Sequence, residues 1–205
     1  MRTFDKKKHI NQLNLLIEQR YLNEDGEEVS SEEPMIDVSC AALASINIGG
    51  RYLLFNEKQK FQPIGGGLKY LPSALPFLES INFQTDRTDN DIRIRIPASK
   101  WGVFKNWFES GSDRETTIDR EIDEEIASFL GRDLTGKMNT SNYQLKEVIS
   151  NKNRIFQIHK ATFPDDVREA LINLAKTNDK FILATPDEIK SQANGISDHS
   201  IYIVV

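Results

Sequence analysis

The order of apolar and polar positions predicts a helix at the start of the chain. Ile10, Leu13 and Ile17 recur at helical spacing, which indicates a helix over about 4–22. A polar, acidic stretch over 23–34 follows and predicts an exposed loop. This leading part is too short to form a domain of its own.

From Val38 onward the pattern predicts strands. The run 40–48 is mostly small and apolar, and 51–55 is a second apolar run. Gly49-Gly50 between them is a two-residue turn signal, so the two runs predict a hairpin. A third strand over 61–64 leads into the glycines Gly65–Gly67.

The middle of the chain alternates and then turns helical. Isoleucines at 92, 94 and 96 alternate with Arg93 and Arg95, a period of two that predicts a half-exposed strand. Aromatic residues after Pro97 predict an amphipathic helix: Trp101, Phe104, Trp107 and Phe108. Their spacing is typical of core packing, and base stacking is the alternative.

The strongest helix pattern covers about 113–130. It carries an apolar stripe of Ile118, Ile122, Ile126 and Phe129. Ser112 followed by Glu115 fits a capping box at its start. The remaining pattern predicts strands at 145–149, 154–162, 180–185 and 200–205, and helices at 165–176 and 186–191. Helices and strands mixed in this way predict an α/β (α+β) fold.

Composition narrows the function classes. The chain has 205 residues with 26 Lys+Arg against 31 Asp+Glu, so a net charge of −5 argues against general nucleic-acid or anionic-membrane binding. No apolar run approaches the roughly 20 residues that span a bilayer. The single cysteine, Cys40, excludes an internal disulfide and a multi-cysteine zinc site. We therefore expect a cytoplasmic protein without a membrane segment.

Three carboxylates suggest the chemistry. On a helix, Glu121, Glu124 and Glu125 share one face, since residues three and four apart are neighbours. Carboxylate oxygens suit hard cations such as Mg²⁺ or Mn²⁺, and Arg120 is placed to pair with one of these acids. The alternative is a solvated acidic helix face, which is common.

The combination of glycines and acids resembles a known family. A strand ending in Gln62-Pro-Ile-Gly-Gly-Gly67, followed by a helix with Arg120-Glu-Ile-Asp-Glu-Glu-Ile126, is similar to the box of the Nudix hydrolase superfamily. The glycine turn, the arginine-bearing strand and the aromatic helix resemble one subgroup, the Nudix domains associated with cyclic-oligonucleotide anti-phage signalling (CBASS). The resemblance implies a Nudix-like α/β/α sandwich with a mixed sheet.

The chain also departs from the usual box. Gly66 and Arg120 are 54 positions apart, about 40 more than the box has, so a strand–helix insertion over about 69–110 is expected. Ser112 stands where the first box glutamate would fall, with Glu115 the nearest substitute, and Ala127 replaces the late glycine. We divide the chain into 1–37, the N-terminal helix and acidic loop, and 38–205, the Nudix-like domain.

The resemblance implies metal-dependent hydrolysis of a nucleoside diphosphate linked to another group. Glu121, Glu124 and Glu125 would bind Mg²⁺ or Mn²⁺, and Arg120 would orient a glutamate. The glycines Gly65, Gly66 and Gly67 would let the backbone pass close to the metal and substrate, although a tight turn at the end of the strand also explains them. Independently of the resemblance, Arg93 and Arg95 share one face of the predicted strand and are candidates for binding a phosphate of the substrate, the alternative being solvated arginines. The alternative is a catalytically silent Nudix fold that senses a nucleotide, and a homodimer is left open. His199 beside Asp198 is a further acid/base candidate.

Overall fold

The computed structural model describes residues 33–130 and 142–204. By its contacts the chain divides into two compact units, Met1–Pro34 and Met35–Val205. The predicted helix over 4–22 and nearly all of the acidic loop lie outside the described residues. The second unit carries every strand and helix of the described ranges.

The strands of the described residues form two sheets. In chain order the strands are β1 (Met35–Ser45), β2 (Asn47–Ile48), β3 (Arg51–Glu57), β4 (Lys60–Pro63), β5 (Gly65–Gly67), β6 (Arg93–Pro97), β7 (Asn142–Asn151), β8 (Arg154–Thr162) and β9 (Phe181–Ala184). The large sheet has the order β5-β1-β8-β7, with β6 also paired to β1, and the small sheet has the order β2-β3-β4, with β9 paired to β3.

Short helices connect and cover the sheets. They are α1 (Leu75–Ser80), α2 (Trp101–Ser110), α3 (Asp119–Glu125), α4 (Asp165–Thr177) and α5 (Pro186–Lys190). Helix α2 ends at Gly111, whose φ of 72° is the left-handed conformation typical of a helix C-terminus. Helix α5 begins with a capping box between Thr185 and Glu188. No helix in the described part of the chain is both long and apolar enough to cross a membrane.

The long strand β1 organises the large sheet. Strand β8 runs parallel to it, while β5 and β6 are both antiparallel to it, β5 along residues 41–43 and β6 along residues 35–39. The strand of the predicted insertion is therefore part of the main sheet. Its isoleucines are buried and its arginines exposed, as the alternation predicted.

Buried side chains form two clusters. The larger one joins alternate residues of β1, including Cys40 and Ala42, to apolar residues of α1 to α4, among them Phe104, Phe108 and Ile122. The smaller one contains Leu43, Phe156, Ile158 and residues from β3, α5 and the C-terminal segment. Successive residues of β1 enter different clusters because side chains alternate between the faces of a strand.

The predicted start of the long helix is wrong. Helix α3 begins at Asp119 rather than near 113, and no capping box forms at Ser112. The backbone of residues 113 and 115 instead bonds to Leu71 and Lys69, a short antiparallel pairing that a helix could not make. Buried Arg114 holds this segment extended, since its guanidinium lies 3.8 Å from the centre of the Phe108 ring and donates to the Phe108 carbonyl.

The predicted C-terminal strand at 200–205 is also wrong in the described residues. Residues Asp198–Ile203 form a 3-10 helix, in which Ser200 N–H bonds to Ser197 and Val204 N–H bonds to Ile201. Ser45 Oγ donates 2.7 Å to the carbonyl of Ile203 and fixes this segment against β1. The apolar residues here are buried by a turn, so their pattern alone did not distinguish the two structures.

Candidate active site

The acidic helix α3 lies against the glycine strand β5. The Gly65 N–H donates 3.1 Å to Glu125 Oε2. A Cβ at Gly66 would collide with the carboxylate of Glu121, so glycine lets this carboxylate approach the backbone. Two of the three predicted carboxylates therefore meet the predicted glycines.

The backbone conformation at Gly65 also requires glycine. Its φ is 145°, and a Cβ there would collide with the carbonyl oxygen of Ala42 on β1. Any other residue would have to move the two strands apart or change the course of the chain towards Glu125. The glycine run thus determines how closely β5 approaches β1 and where the acidic helix lies.

Arg120 joins the glycine strand to a glutamate from outside the helix. Its Nε and Nη2 donate to the two oxygens of Glu115, both at 2.9 Å, and its Nη2 also donates 2.9 Å to the carbonyl of Gly67. Glu115 in turn accepts from the N–H of Lys69 at 2.9 Å. Glu115 therefore pairs with Arg120 and does not cap the helix.

Glu124 is placed differently from its two neighbours. Its Oε2 lies 3.2 Å from Arg120 Nη1, and its side chain is 57% exposed. Arg120 Nη1 also lies 2.7 Å from Glu121 Oε1. The arginine therefore contacts both helix acids, and Glu124 faces it rather than the glycine strand.

The electrostatics favour a cation at Glu121 and Glu125. Burial raises the pKa of Glu125 to about 8, with smaller contributions from the charges of Glu121, Glu57 and Glu124. Burial likewise raises the pKa of Glu121. For Glu115, burial acts to raise the pKa, but the hydrogen bonds from Arg120 and Lys69 outweigh it and lower the pKa overall.

A cavity of about 950 Å³ opens beside these acids. Its lining includes Glu121 and Glu125 together with Gly65–Gly67, and also Arg93 and Arg95 of β6. The structure therefore brings most of the predicted site residues to one cavity. Arg120 and Glu124 are not part of its lining.

The donor set at the acidic end fits a hard divalent ion. Buried Glu121 and half-buried Glu125 both have raised pKa values and both lie against the glycine strand, and a cation would relieve the repulsion between them. Glu57, which raises the Glu125 pKa, adds a third carboxylate to the cavity lining. As these side chains stand, no three His, Cys, Asp or Glu residues of the described ranges lie close enough together to hold a metal ion.

Several cavity residues were not recognised in the sequence. Glu57 lies at the end of β3, and Arg154 and Phe156 lie on β8. None has a local motif, because each reaches the cavity through strand register. His199, the acid/base candidate, also lines the cavity, with its Nδ1 3.7 Å from Asp198. The Trp101–Phe108 stripe packs into the large core rather than the cavity, so base stacking on it is wrong.

The comparisons with known proteins agree with this geometry. The sequence model of the family described as SMODS-associated NUDIX domain matches residues 35–204. The chain belongs to this family. No curated protein and no solved structure matches the chain.

Membership confirms the predicted Nudix superfamily and its signalling-associated subgroup. It also confirms the fold class, since the described residues form a mixed sheet with helices. The SMODS-associated NUDIX match starts before the glycine strand and runs past α5, so the strand–helix insertion lies inside it.

Proposed function

We propose that this Nudix domain hydrolyses a nucleoside diphosphate linked to another group, with Mg²⁺ or Mn²⁺ as cofactor. The observation that carries the proposal is that two carboxylates, those of buried Glu121 and half-buried Glu125, lie against the glycine strand at one end of a large cavity. Family membership supports a hydrolase. The position of Glu121 and Glu125 beside the cavity supports the proposal that the hydrolysis takes place there.

In this proposal Glu121 and Glu125 hold the metal, with Glu124 or Glu57 completing the carboxylate set. The metal held by these residues would supply positive charge for a pyrophosphate and would lower the pKa of a bound water. Arg120 acts through other residues: it holds Glu115 and the Gly67 carbonyl, and so fixes the helix against the strand. Without a metal, burial favours the protonated form of half-buried Glu125, so a metal bound there would have to displace a proton.

Arg93 and Arg95 of β6 place positive charge in the lining of the same cavity. Both are about half exposed, and their ion pairs to Asp91 and Asp37 are long, at 3.8 and 3.6 Å. Guanidinium groups held so loosely are available to a phosphate of the substrate. A nucleotide is therefore the class of substrate that we propose for the cavity.

A second candidate function is a sensor that binds the nucleotide without cleaving it. The orientation of Glu124 towards Arg120 favours it, because this leaves two helix acids rather than three at the cavity. Ser112 and Ala127, where the usual box has a glutamate and a glycine, point the same way. The two functions share the binding site and differ in turnover.

The experiment is a screen of nucleoside diphosphate derivatives and cyclic oligonucleotides with Mg²⁺ or Mn²⁺, read by phosphate release and by thermal shift. Glu125→Gln should reduce turnover by about 100-fold or more, since it removes a carboxylate that holds the metal. The matched control is Asp123→Asn, an exposed acid on the same helix outside the cavity. It should leave turnover within about 2-fold.

Three results separate the candidates. Cleavage that depends on Glu125 supports the hydrolase. Binding of a nucleotide without cleavage of any member of the panel supports the sensor. Cleavage that survives Glu125→Gln contradicts the proposed site, since the chemistry would then lie elsewhere.

We further propose a role in bacterial anti-phage signalling, on the basis of the subgroup alone. The reaction is assigned to the cytoplasm, since the single cysteine is buried and unpaired among the described residues. The ligand is a small nucleotide rather than a nucleic-acid chain, as the net charge of −5 indicates. A homodimer remains to be tested by light scattering.

A further inference from the structure

Strand register divides the floor of the cavity into rows across the large sheet. At the acidic end, Gly65 is paired with Leu43 of β1. Two residues along β1, Ala41 is paired with Gly67 on one side and with Phe156 on the other. These two rows are apolar apart from the glycine backbone.

The third row is basic. Ser39 of β1 is paired with Arg93 of β6 on one side and with Arg154 of β8 on the other. Residues paired across neighbouring strands point to the same face, so both arginines face the cavity on either side of the serine. The two Cα atoms are separated by two strand spacings, about 10 Å, which lets both side chains reach a common anion.

The charges of this row are poorly neutralised. Among the described residues, the carboxylate paired with Arg93 is Asp91 at 3.8 Å, and Asp91 already pairs with Arg87 at 3.0 Å. No described carboxylate forms an ion pair with Arg154. Its described polar partner is the ring of His199, with 3.2 Å between Arg154 Nη1 and His199 Nε2.

His199 orients Arg154 without cancelling its charge. Because a guanidinium only donates hydrogen bonds, Nε2 accepts from Arg154 and the imidazole proton lies on Nδ1, towards Asp198. The ring also packs against Phe156, with 5.3 Å between the ring centres. Arg154 is thus held over the cavity by a partner that carries no negative charge.

The basic row is far from the acidic end. Along β1, Leu43 and Ser39 are four residues apart, about 13 Å at roughly 3.3 Å per residue. Two phosphorus atoms of one pyrophosphate share a bridging oxygen and cannot span this distance. Phe156 and Ala41 lie between the two ends and contribute apolar groups to the cavity lining there.

We propose that Arg93 and Arg154, with Ser39 between them, bind a second phosphate on the sugar of the substrate, remote from the pyrophosphate at the acidic end. The substrate class is then a nucleotide with a 5′-diphosphate and a further phosphate, either a 3′-monoester or a diester to a second nucleoside. This inference rests on the proposed function for its account of the acidic end. The arginine row itself is a separate site.

Calorimetric titration in Ca²⁺ tests the proposal with three probes: ADP, ADP carrying a 3′-phosphate, and a diadenylate with a 5′-diphosphate. At least one of the two longer probes should bind about 10-fold or more tightly than ADP, as expected for charge-assisted contacts. Which of them gains affinity distinguishes a monoester from a diester. Arg154→Gln and Arg93→Gln should each remove most of this gain.

The matched control is Arg168→Gln, which removes an exposed arginine of α4 outside the cavity. It should keep the full gain, which excludes an effect of net charge. Equal affinity of all three probes for the native protein overturns the proposal, and so does a gain that survives both cavity variants.

The hydrolysis proposal fails separately. If the extra phosphate increases the affinity and no probe is cleaved in Mg²⁺ or Mn²⁺, the arginine site is supported and the hydrolysis proposal is contradicted. If cleavage depends on Glu125 but the extra phosphate adds no affinity, hydrolysis stands and the arginine site falls.

Discussion

At the residue scale, Glu125 should give the metal-free protein a distinctive pH dependence. Its pKa is about 8 in the folded protein, raised mainly by burial, against 4.5 for the ordinary group. A raised pKa means that the folded state prefers the protonated form. The stability that protonated Glu125 gives the folded state is therefore fully present below about pH 4.5 and is lost as the pH rises through about 8.

The measurement is the free energy of urea unfolding between pH 5 and 9 in EDTA. Relative to the native protein, Glu125→Gln should gain stability as the pH rises, because glutamine cannot ionise. The surface variant Asp123→Asn should run parallel to the native protein. Parallel curves for Glu125→Gln would mean that this carboxyl has an ordinary pKa.

Two glycines should respond in opposite ways to alanine. Gly66→Ala pushes the Glu121 carboxylate away from the strand, so we expect weaker Mn²⁺ binding with little loss of stability, since the end of this side chain can move. Gly102→Ala, in α2 with nothing near its Cβ position, should raise stability by up to about 1 kcal/mol. Thermal shifts with and without Mn²⁺ measure both, and an unchanged metal response in Gly66→Ala would contradict the close approach.

At the scale of elements, the Glu115–Arg120 pair should couple the extended segment before α3 to the helix itself. Two hydrogen bonds of 2.9 Å join the side chains, both of which are about one-quarter exposed. A double-mutant cycle with Glu115→Gln and Arg120→Lys should give a coupling energy of about 1 kcal/mol or more in unfolding. A coupling energy near zero would mean that the Glu115–Arg120 pair does not connect the segment to the helix.

Three features of the fold show which helices and strands the sequence can predict. The alternation of residues 92–96 predicted β6 correctly. The Gly49-Gly50 signal predicted the turn between β2 and β3, but most of the run 40–48 lies in β1 of the other sheet, so the predicted hairpin is confirmed only at its two-residue end. Both features depend on neighbouring residues. The start of α3 was missed because it depends on Arg114, whose partner Phe108 belongs to another helix, and on backbone pairing with residues 69–71.

The sequence likewise predicted some residues of the candidate site and missed others. The spacing of Glu121 and Glu125 on a helix and the glycine run were readable, because each is a local pattern. Glu57 and Arg154 were not, since a strand residue reaches the cavity only through its register with neighbouring strands, and a single sequence does not encode register visibly. The separation of Glu124 from the other acids depends likewise on Arg120.

At the scale of the whole molecule, the strand–helix insertion over 69–110 is part of the domain core. Strand β6 completes one edge of the large sheet beside β5. The insertion also adds to the large buried cluster the side chains of Tyr70, Leu78, Ile81, Ile92, Ile94, Ile96, Phe104 and Phe108. An insertion that only covered the substrate would bury few such residues, so we expect this one to unfold together with the sheet.

The two tryptophans of the chain make this testable, since Trp101 and Trp107 both lie in α2. Their fluorescence reports the insertion, and amide hydrogen exchange of β8 reports the centre of the sheet. Both probes should show the same urea midpoint, because the insertion and the sheet share one core. Phe104→Ala, which removes a fully buried ring, should cost about 3–5 kcal/mol and move both midpoints together. A fluorescence transition that precedes loss of β8 protection would instead make the insertion a separate unit, attached to the Nudix fold but not required by it.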